Sequence, residues 1–347
     1  MLADELDFVI GVDTHRDAHS LALVQAASGG LLCEAEIAAT AAGYAQALAF
    51  GRAQAPGRRA FAIEGSGSYG AGLARFLAAH GERVLEVGRP ARGSRRGGGK
   101  SDALDVLRAA RSALAAETQA SPRGGGSREA LRALVTTREG AVQARRAGLN
   151  QLRALVVSCP EPLRAELRGL SEAKLLERCL TLGSRPDPAE RHGTLVALAA
   201  VSRRVRCTSA EARELKREIE TLVRALAPAL LAEPGVGPIC AAQLLISWSH
   251  RGRSHSEAAF ARIAAAAPIP ASSGQVVRHR LDRGGDRQLN RAPQTIILSR
   301  RRQHAPTITY IQRRLHEGKT TREAIRCLKR YLARHLFRVL EALPLPA

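Results

Sequence analysis

Apolar residues follow two rhythms along this 347-residue chain, and the change of rhythm divides it. Up to about residue 115, short apolar runs alternate with amphipathic stretches, the pattern of strands exchanging with helices. Strands are predicted over 8–13, 20–25, 31–37, 60–64 and 83–87, and helices over 44–54, 69–80 and 102–115. Beyond Gly124, Gly125 and Gly126 the rhythm lengthens: Val135, Val142, Leu149 and Val156 recur every seven residues, with Arg138, Arg145, Arg146 and Arg153 interleaved. That is a long helix with a narrow apolar stripe. A second helix is predicted to start at a capping box, Thr208 with Glu211. It carries Ala212, Leu215, Ile219, Leu222 and Leu226 at coiled-coil spacing and stops near Pro228. Two such helices can pair as an antiparallel hairpin in one chain or between protomers; the pattern leaves both open.

The first three predicted strands follow one another closely, as in an antiparallel meander, whereas the later ones are separated by helices, as in parallel crossovers. Meander, then strand–helix–strand, is the order of the ribonuclease H-like fold. Four acids fall where a metal-dependent nuclease of that fold needs them. Asp13 ends the first strand, Glu64 ends the fourth, and Asp102 and Asp105 lie three apart at a helix start, on one face. Two divalent ions clamping a phosphodiester need roughly that many carboxylates. Each acid alone also has a plainer reading, a turn residue or a counter to the helix dipole. Ahead of the acidic pair lies a Gly-rich basic loop, Arg92, Arg95, Arg96, Gly97, Gly98, Gly99 and Lys100, able to follow a phosphate backbone through arginines and bare amides.

Charge sharpens this picture. Lys and Arg number 53 against 32 Asp and Glu, a formal net charge of +21, which points to a polyanionic partner. Aromatic residues are only 3%, which disfavours an all-β fold. No apolar run approaches the ~18 residues of a membrane span. Met1 leads into Asp4 and Glu5, unlike a signal peptide. The cysteines Cys33, Cys159, Cys179, Cys207, Cys240 and Cys327 are scattered without a C-x-x-C pair, so neither a zinc ribbon nor a disulfide framework is expected. A reduced, cytoplasmic protein is the expectation.

Further along, Pro234-Gly235-Val236-Gly237-Pro238 precedes an apolar segment, 239–246. A Gly-x-Gly turn between helices resembles a helix-hairpin-helix element, in which the amides of Gly235 and Gly237 can approach a phosphate. The plain alternative is a helix–helix turn needing positive φ. Pro268-Ile269-Pro270-Ala271-Ser272-Ser273-Gly274 has the composition of a turn. A basic stretch follows, with Arg278, His279, Arg280, Arg283, Arg287 and Arg291, and the C-terminal helices extend it. No Gly-x-Ser-x-Gly elbow supports hydrolase chemistry, Glu64-Gly65-Ser66-Gly67-Ser68 lacks a Walker lysine, and the histidines show no metal-ligand spacing. His15, His19 and His279 merely lie near the candidate sites.

Taken together, the motifs resemble a DEDD transposase of the insertion-sequence IS-110 family, relatives of the Piv-type DNA invertases. The residues that carry the resemblance are Ile10-Gly11-Val12-Asp13-Thr14-His15, Ala62-Ile63-Glu64-Gly65, Lys100-Ser101-Asp102-Ala103-Leu104-Asp105, the Gly235–Gly237 turn, Ala267-Pro268 through Ser273-Gly274, Arg283-Gly284-Gly285-Asp286-Arg287-Gln288-Leu289-Asn290, Glu317-Gly318-Lys319-Thr320 and Cys327-Leu328-Lys329-Arg330. The resemblance implies an α/β plus α chain in three parts. Residues 1–120 would form a ribonuclease H-like (RuvC-like) domain with the DEDD acids, 127–230 a helical coiled-coil middle, and 231–347 a mainly helical transposase domain with a nucleophilic serine, taken as Ser273 because Gly274 follows it.

It also implies Mg²⁺, as a two-metal site, an element-encoded guide RNA beside donor and target DNA, and a homo-oligomer (dimer or tetramer) whose sites combine carboxylates of one protomer with the serine of another. Three departures stand out. Ala265 replaces the glycine usual in an Ala-Gly-x-x-Pro run, Pro293 is expected to interrupt a helix over 286–300, and Gln303-His304-Ala305-Pro306 lacks the aspartate usual before that proline. Beside the RNA-guided recombinase, two other functions remain: a metal-dependent junction resolvase or nuclease using water, and a non-enzymatic nucleic-acid-binding protein.

Overall fold

The computed structural model describes residues 2–88, 102–116, 120–182, 189–272, 279–282 and 284–344, with the backbone alone at 102–105 and 281. It forms two compact units: 1–125 together with 252–254, and 126–251 together with 255–347.

The first unit opens with α1 (Leu2–Glu5), β1 (Phe8–Thr14), β2 (Ala18–Gln25), β3 (Leu31–Ala38) and α2 (Ala41–Gln54), followed by β4 (Arg59–Glu64), α3 (Ala71–Ala79), β5 (Arg83–Val87) and α4 (Asp102–Ala115). The sheet order is β3-β2-β1-β4-β5. β1 is antiparallel to β2 and parallel to β4, and β4 is parallel to β5. The predicted meander and crossovers are thus both present.

Helices cover both faces of the sheet, which explains why β1 and β4 are apolar throughout rather than alternating. Ile10, Val12, Leu21, Leu23, Phe61 and Ile63 pack on the α2 and α3 side. Val9, Ala60, Ala62, Leu85 and Val87 face Ala109, Ala110 and Ala113 of α4. Those facing residues are small, so α4 lies close to the sheet. A Cβ on Gly11 would sit 2.3 Å from the Val106 carbonyl oxygen. α2 starts three residues before its predicted start because Thr40 caps it, accepting from the Gly43 amide at 3.2 Å. α3 starts later, because residues 65–70 turn tightly on Gly65, which has φ +72°.

The second unit is built on α5 (Ser127–Ser158), joined through α6 (Leu163–Leu167) and α7 (Glu172–Thr181) to α8 (Ala189–Leu226). α5 and α8 pack as an antiparallel hairpin within one chain, with Gly148 against Val205 and Arg145 bonded to Ser209. Val135 and Val142 are half-buried, Leu149 and Val156 buried. The predicted start at Thr208 is corrected. α8 begins at Ala189 and runs straight through Thr208, whose hydroxyl donates to the Arg204 and Val205 carbonyls. The heptad of Ala212 and Ile219 extends back to Leu198 and Val205, both fully buried, and that packing outweighs the local capping pattern.

The chain continues through α9 (Pro228–Ala232), α10 (Pro238–Trp248), α11 (Glu257–Ile263), β6 (Pro268–Pro270), β7 (His279–Leu281), α12 (Arg287–Gln303), α13 (Ala305–His316) and α14 (Thr321–Glu341). One apolar core joins Leu131, Ile219 and Val223 of the long helices to Leu244, Phe260, Ile296, Leu336 and Phe337. Pro293 does not break its helix, correcting the expected interruption. α12 is continuous to Gln303 with Pro293 buried between Leu289 and Ile297, so the apolar contact offsets the missing N–H. Among the described residues no helix is long and apolar enough to cross a membrane.

Candidate functional site

Two parallel strands bring the first two acids side by side. Val12 pairs with Ile63, so the next positions, Asp13 one residue before the end of β1 and Glu64 at the end of β4, lie at the same end of adjacent strands. Alternation puts Asp13 on the face of Val9 and Gly11, and Glu64 on that of Ala60 and Ala62, which is the α4 face in both cases. Thr14 joins the two strand ends: its hydroxyl donates to the Glu64 carbonyl at 2.8 Å.

α4 runs antiparallel to β1. Its C-terminal end lies by the start of the chain, where the Leu2 amide donates to the Ala116 carbonyl at 3.3 Å. Arg111 reaches the Gly29 carbonyl at that same end, and Val106 lies over Gly11. The N-terminal end of α4, where Asp102 and Asp105 sit in sequence, is therefore directed toward the strand ends that carry Asp13 and Glu64. The side chains of Asp102 and Asp105 lie outside the described residues. Among the described residues no three His, Cys, Asp or Glu side chains cluster as a metal site.

Asp13 is largely shielded, at 16% side-chain exposure, and its Oδ2 lies 3.2 Å from Nε2 of the more open His15. In the sequence His15 merely lies near the candidate site; the i, i+2 spacing at a strand end is the signal that links it to Asp13. His19 is different. It packs on the opposite face, fully buried and stacked on Tyr44 with ring centroids 6.0 Å apart. Burial pushes its pKa below the ordinary histidine value. Partly buried carboxylates on one sheet face are hard oxygen donors, a set that fits divalent cations.

In the second unit, β6 and β7 form an antiparallel hairpin stem pairing Pro268 with Leu281 and Pro270 with His279. Ser272 follows the first strand and is exposed. Ser273 and Arg278 lie outside the described residues, as do Arg92, Arg95, Arg96, Lys100 and Arg283. Arg280 on β7 and Arg287 on α12 are exposed.

The root of the hairpin is tightly held. α11 ends in a Schellman motif, the Ala266 amide donating to Ala261 O and the Ala265 amide to Arg262 O, each at 2.9 Å. This puts Ala265 at φ +49°, the left-handed conformation that suits glycine. On the returning leg, the Asp286 amide donates to Ile263 O at 2.8 Å, and its side chain caps α12 through the Gln288 and Leu289 amides. Ser247 of α10 donates to the other Asp286 oxygen at 2.8 Å.

The glycines of the predicted hairpin-type turn separate. Gly235, at φ +73°, lies beneath Arg300, whose Nε donates to the Pro234 carbonyl at 2.6 Å. Gly237 has open space where a Cβ would be, at the start of α10.

Two family models match the chain. One describes DEDD transposases of the IS110 type and covers residues 10–159, from β1 through α5 and so all four acids. The other, for the transposase IS116/IS110/IS902 family, covers residues 227–312, including both serines and the Gly285–Asn290 segment. No curated protein matches the chain in sequence. DEDD transposase domains use divalent metal ions, in keeping with the oxygen donors assembled at β1 and β4. Motifs in both units, in the family's order and on the elements that hold them, make this chain a member of the IS110 family of DEDD transposases, enzymes that cut and rejoin DNA.

Proposed function

We propose that this protein is an RNA-guided, Mg²⁺-dependent recombinase that moves its own insertion sequence by cutting and rejoining DNA through Ser273. The observation that carries the proposal is the adjacency of Asp13 and Glu64 on the α4 face of a sheet ordered β3-β2-β1-β4-β5. That order supports a ribonuclease H-like, RuvC-like fold for the first unit.

Asp13, Glu64, Asp102 and Asp105 would hold the Mg²⁺ ions as shared carboxylate ligands, with His15 beside Oδ2 of Asp13. Bound there, Mg²⁺ lowers the pKa of a coordinated hydroxyl and offsets charge on the phosphoryl oxygens. The Ser273 hydroxyl is the nucleophile. Its Oγ forms a bond to phosphorus as the bond from phosphorus to a deoxyribose oxygen breaks, and the serine proton ends on that leaving oxygen. The phosphoserine link keeps the bond energy, so resealing is the same exchange in reverse with a different strand. Arg278, Arg280, Arg283 and Arg287, with the basic loop from Arg92 to Lys100, would neutralise the DNA and RNA backbones. Base pairing with a guide RNA would choose the sequence. The family resemblance extends the reading to a homo-oligomer, with the carboxylates of one protomer serving the serine of another.

The test is to purify the full chain with its bound nucleic acid, sequence any RNA, and assay cleavage of DNA that the RNA can pair with. Mg²⁺-dependent cleavage at the paired site is expected. Cleavage indifferent to the RNA would remove the guide, and cleavage without a divalent ion would remove the metal site.

A further inference from the structure

Two of the sequence motifs meet in the second unit: Arg283 to Asn290, of which only the arginines have a part in the reading above, and Cys327 to Arg330, which has none. Lys329 of α14 is buried at 9% exposure, and its Nζ donates to the Asn290 Oδ1 at 2.6 Å. The Asn290 Nδ2 in turn donates to the Ala264 carbonyl at 2.6 Å and to the Ala265 carbonyl at 3.3 Å.

An ammonium group only donates hydrogen bonds, so the lysine forces the oxygen of the Asn290 amide toward itself and the nitrogen toward the two carbonyls. Burial pushes the Lys329 pKa down, with Arg326 adding to the shift, and its partner is an amide rather than a carboxylate. Such an arrangement is an expensive way to fill a core position. It does secure a particular stretch of backbone. The carbonyls of Ala264 and Ala265 lie just ahead of β6, and the Asp286 amide ties the returning leg to Ile263. Gly285 fits against the same place: a Cβ there would lie 2.5 Å from the Ile263 oxygen. Both legs of the hairpin therefore converge on residues 263–265, and Lys329 is the outer end of the brace.

We propose that Lys329, acting through Asn290, is a positioning residue that fixes the root of the serine-bearing hairpin and so sets how the serine is presented to DNA. This rests on the reading of Ser273 as nucleophile.

Asn290→Asp is the discriminating variant. It keeps an oxygen for Lys329, and adds a charge to pair with it, but loses the N–H groups that hold Ala264 and Ala265. The full chain with its bound nucleic acid would be compared as wild type, Asn290→Asp, Lys329→Met, Lys329→Arg and Ser273→Ala. The readouts are single-turnover DNA cleavage across substrate concentration, melting temperature, and hydrogen exchange in peptides from 264–272.

In Asn290→Asp the melting temperature should hold while exchange at 264–272 rises. The saturating cleavage rate should fall by about tenfold to a hundredfold, with the half-saturating DNA concentration unchanged. Lys329→Met should behave alike, and Lys329→Arg, which still donates to the amide oxygen, should recover part of the rate. Wild-type saturating rates in both Asn290→Asp and Lys329→Met, or a loss confined to half-saturation, would overturn the proposal. Failure of the underlying reading looks different: Ser273→Ala would then cleave at the wild-type rate, whatever Asn290→Asp does.

Discussion

Gly11 of β1 and Val106 of α4 touch so closely that a Cβ on the glycine would lie 2.3 Å from the valine carbonyl oxygen. The contact sets how near α4 approaches the strand that carries Asp13. Gly11→Ala must push the helix off the sheet, because the obstacle is backbone on one side and Ala110 on the other. Overpacking of this kind should destabilise the protein by about 1–3 kcal/mol and reduce cleavage. Gly140→Ala, on an exposed turn of α5 with nothing within 4 Å, is the control and should be neutral or stabilising. Thermal melts and cleavage assays on both variants check this.

Replacing Asp13, Glu64, Asp102 or Asp105 by its amide should abolish strand cleavage while sparing nucleic-acid binding. Carboxylates that share a metal site repel one another when it is empty, so under this assignment Mg²⁺ should raise the melting temperature of the wild type and raise it less in Asp13→Asn. Equal stabilisation of both proteins by Mg²⁺ would contradict the assignment.

Ala265→Gly should stabilise the chain. Alanine in the left-handed region costs about 1–2 kcal/mol relative to its preferred conformations, and glycine relieves most of that at this helix end. The larger unfolded-state entropy of glycine takes some of the gain back. A rise in melting temperature is expected; a fall would mean that the Ala265 methyl contributes more by packing over Gly285 than its backbone strain costs.

If the exposed arginines follow phosphates, affinity for nucleic acid should fall steeply with salt, with a log–log slope of about −0.7 to −0.9 per phosphate neutralised. Arg280→Ala and Arg287→Ala should each lower the slope by about one phosphate without changing sequence choice. Salt titrations of binding to paired and unpaired targets measure both quantities.

Much of this was readable from residue order. Asp13 and Glu64 announce themselves because each ends an apolar run, and the fold makes those runs neighbouring parallel strands. The seven-residue spacing of Val135 to Val156 gave the long helix for the same reason: periodicity is local. Thr208 misled because a Ser/Thr-x-x-Glu pattern caps a helix only if the chain before it is not already helical, and Leu198 and Val205 make it so. Pro293 misled because its missing hydrogen bond is visible in sequence whereas the core it fills is not. The pairing of Lys329 with Asn290, 39 residues apart, depends on how α12 and α14 pack, and no local pattern carries it. Ala265 was legible in part: the departure from glycine showed in the sequence, and the positive φ that makes it matter showed only in the structure.

The most direct measurement is to trap the protein on nicked DNA in the presence of Mg²⁺ and map the attachment point by mass spectrometry. A phosphoserine link at Ser273 is expected, absent from Ser273→Ala and from Asp13→Asn and retained in Ser272→Ala. A link at Ser272 would move the nucleophile by one residue. Cleavage and strand exchange by Ser273→Ala with no covalent adduct in any variant would contradict the account and leave a nuclease that uses water.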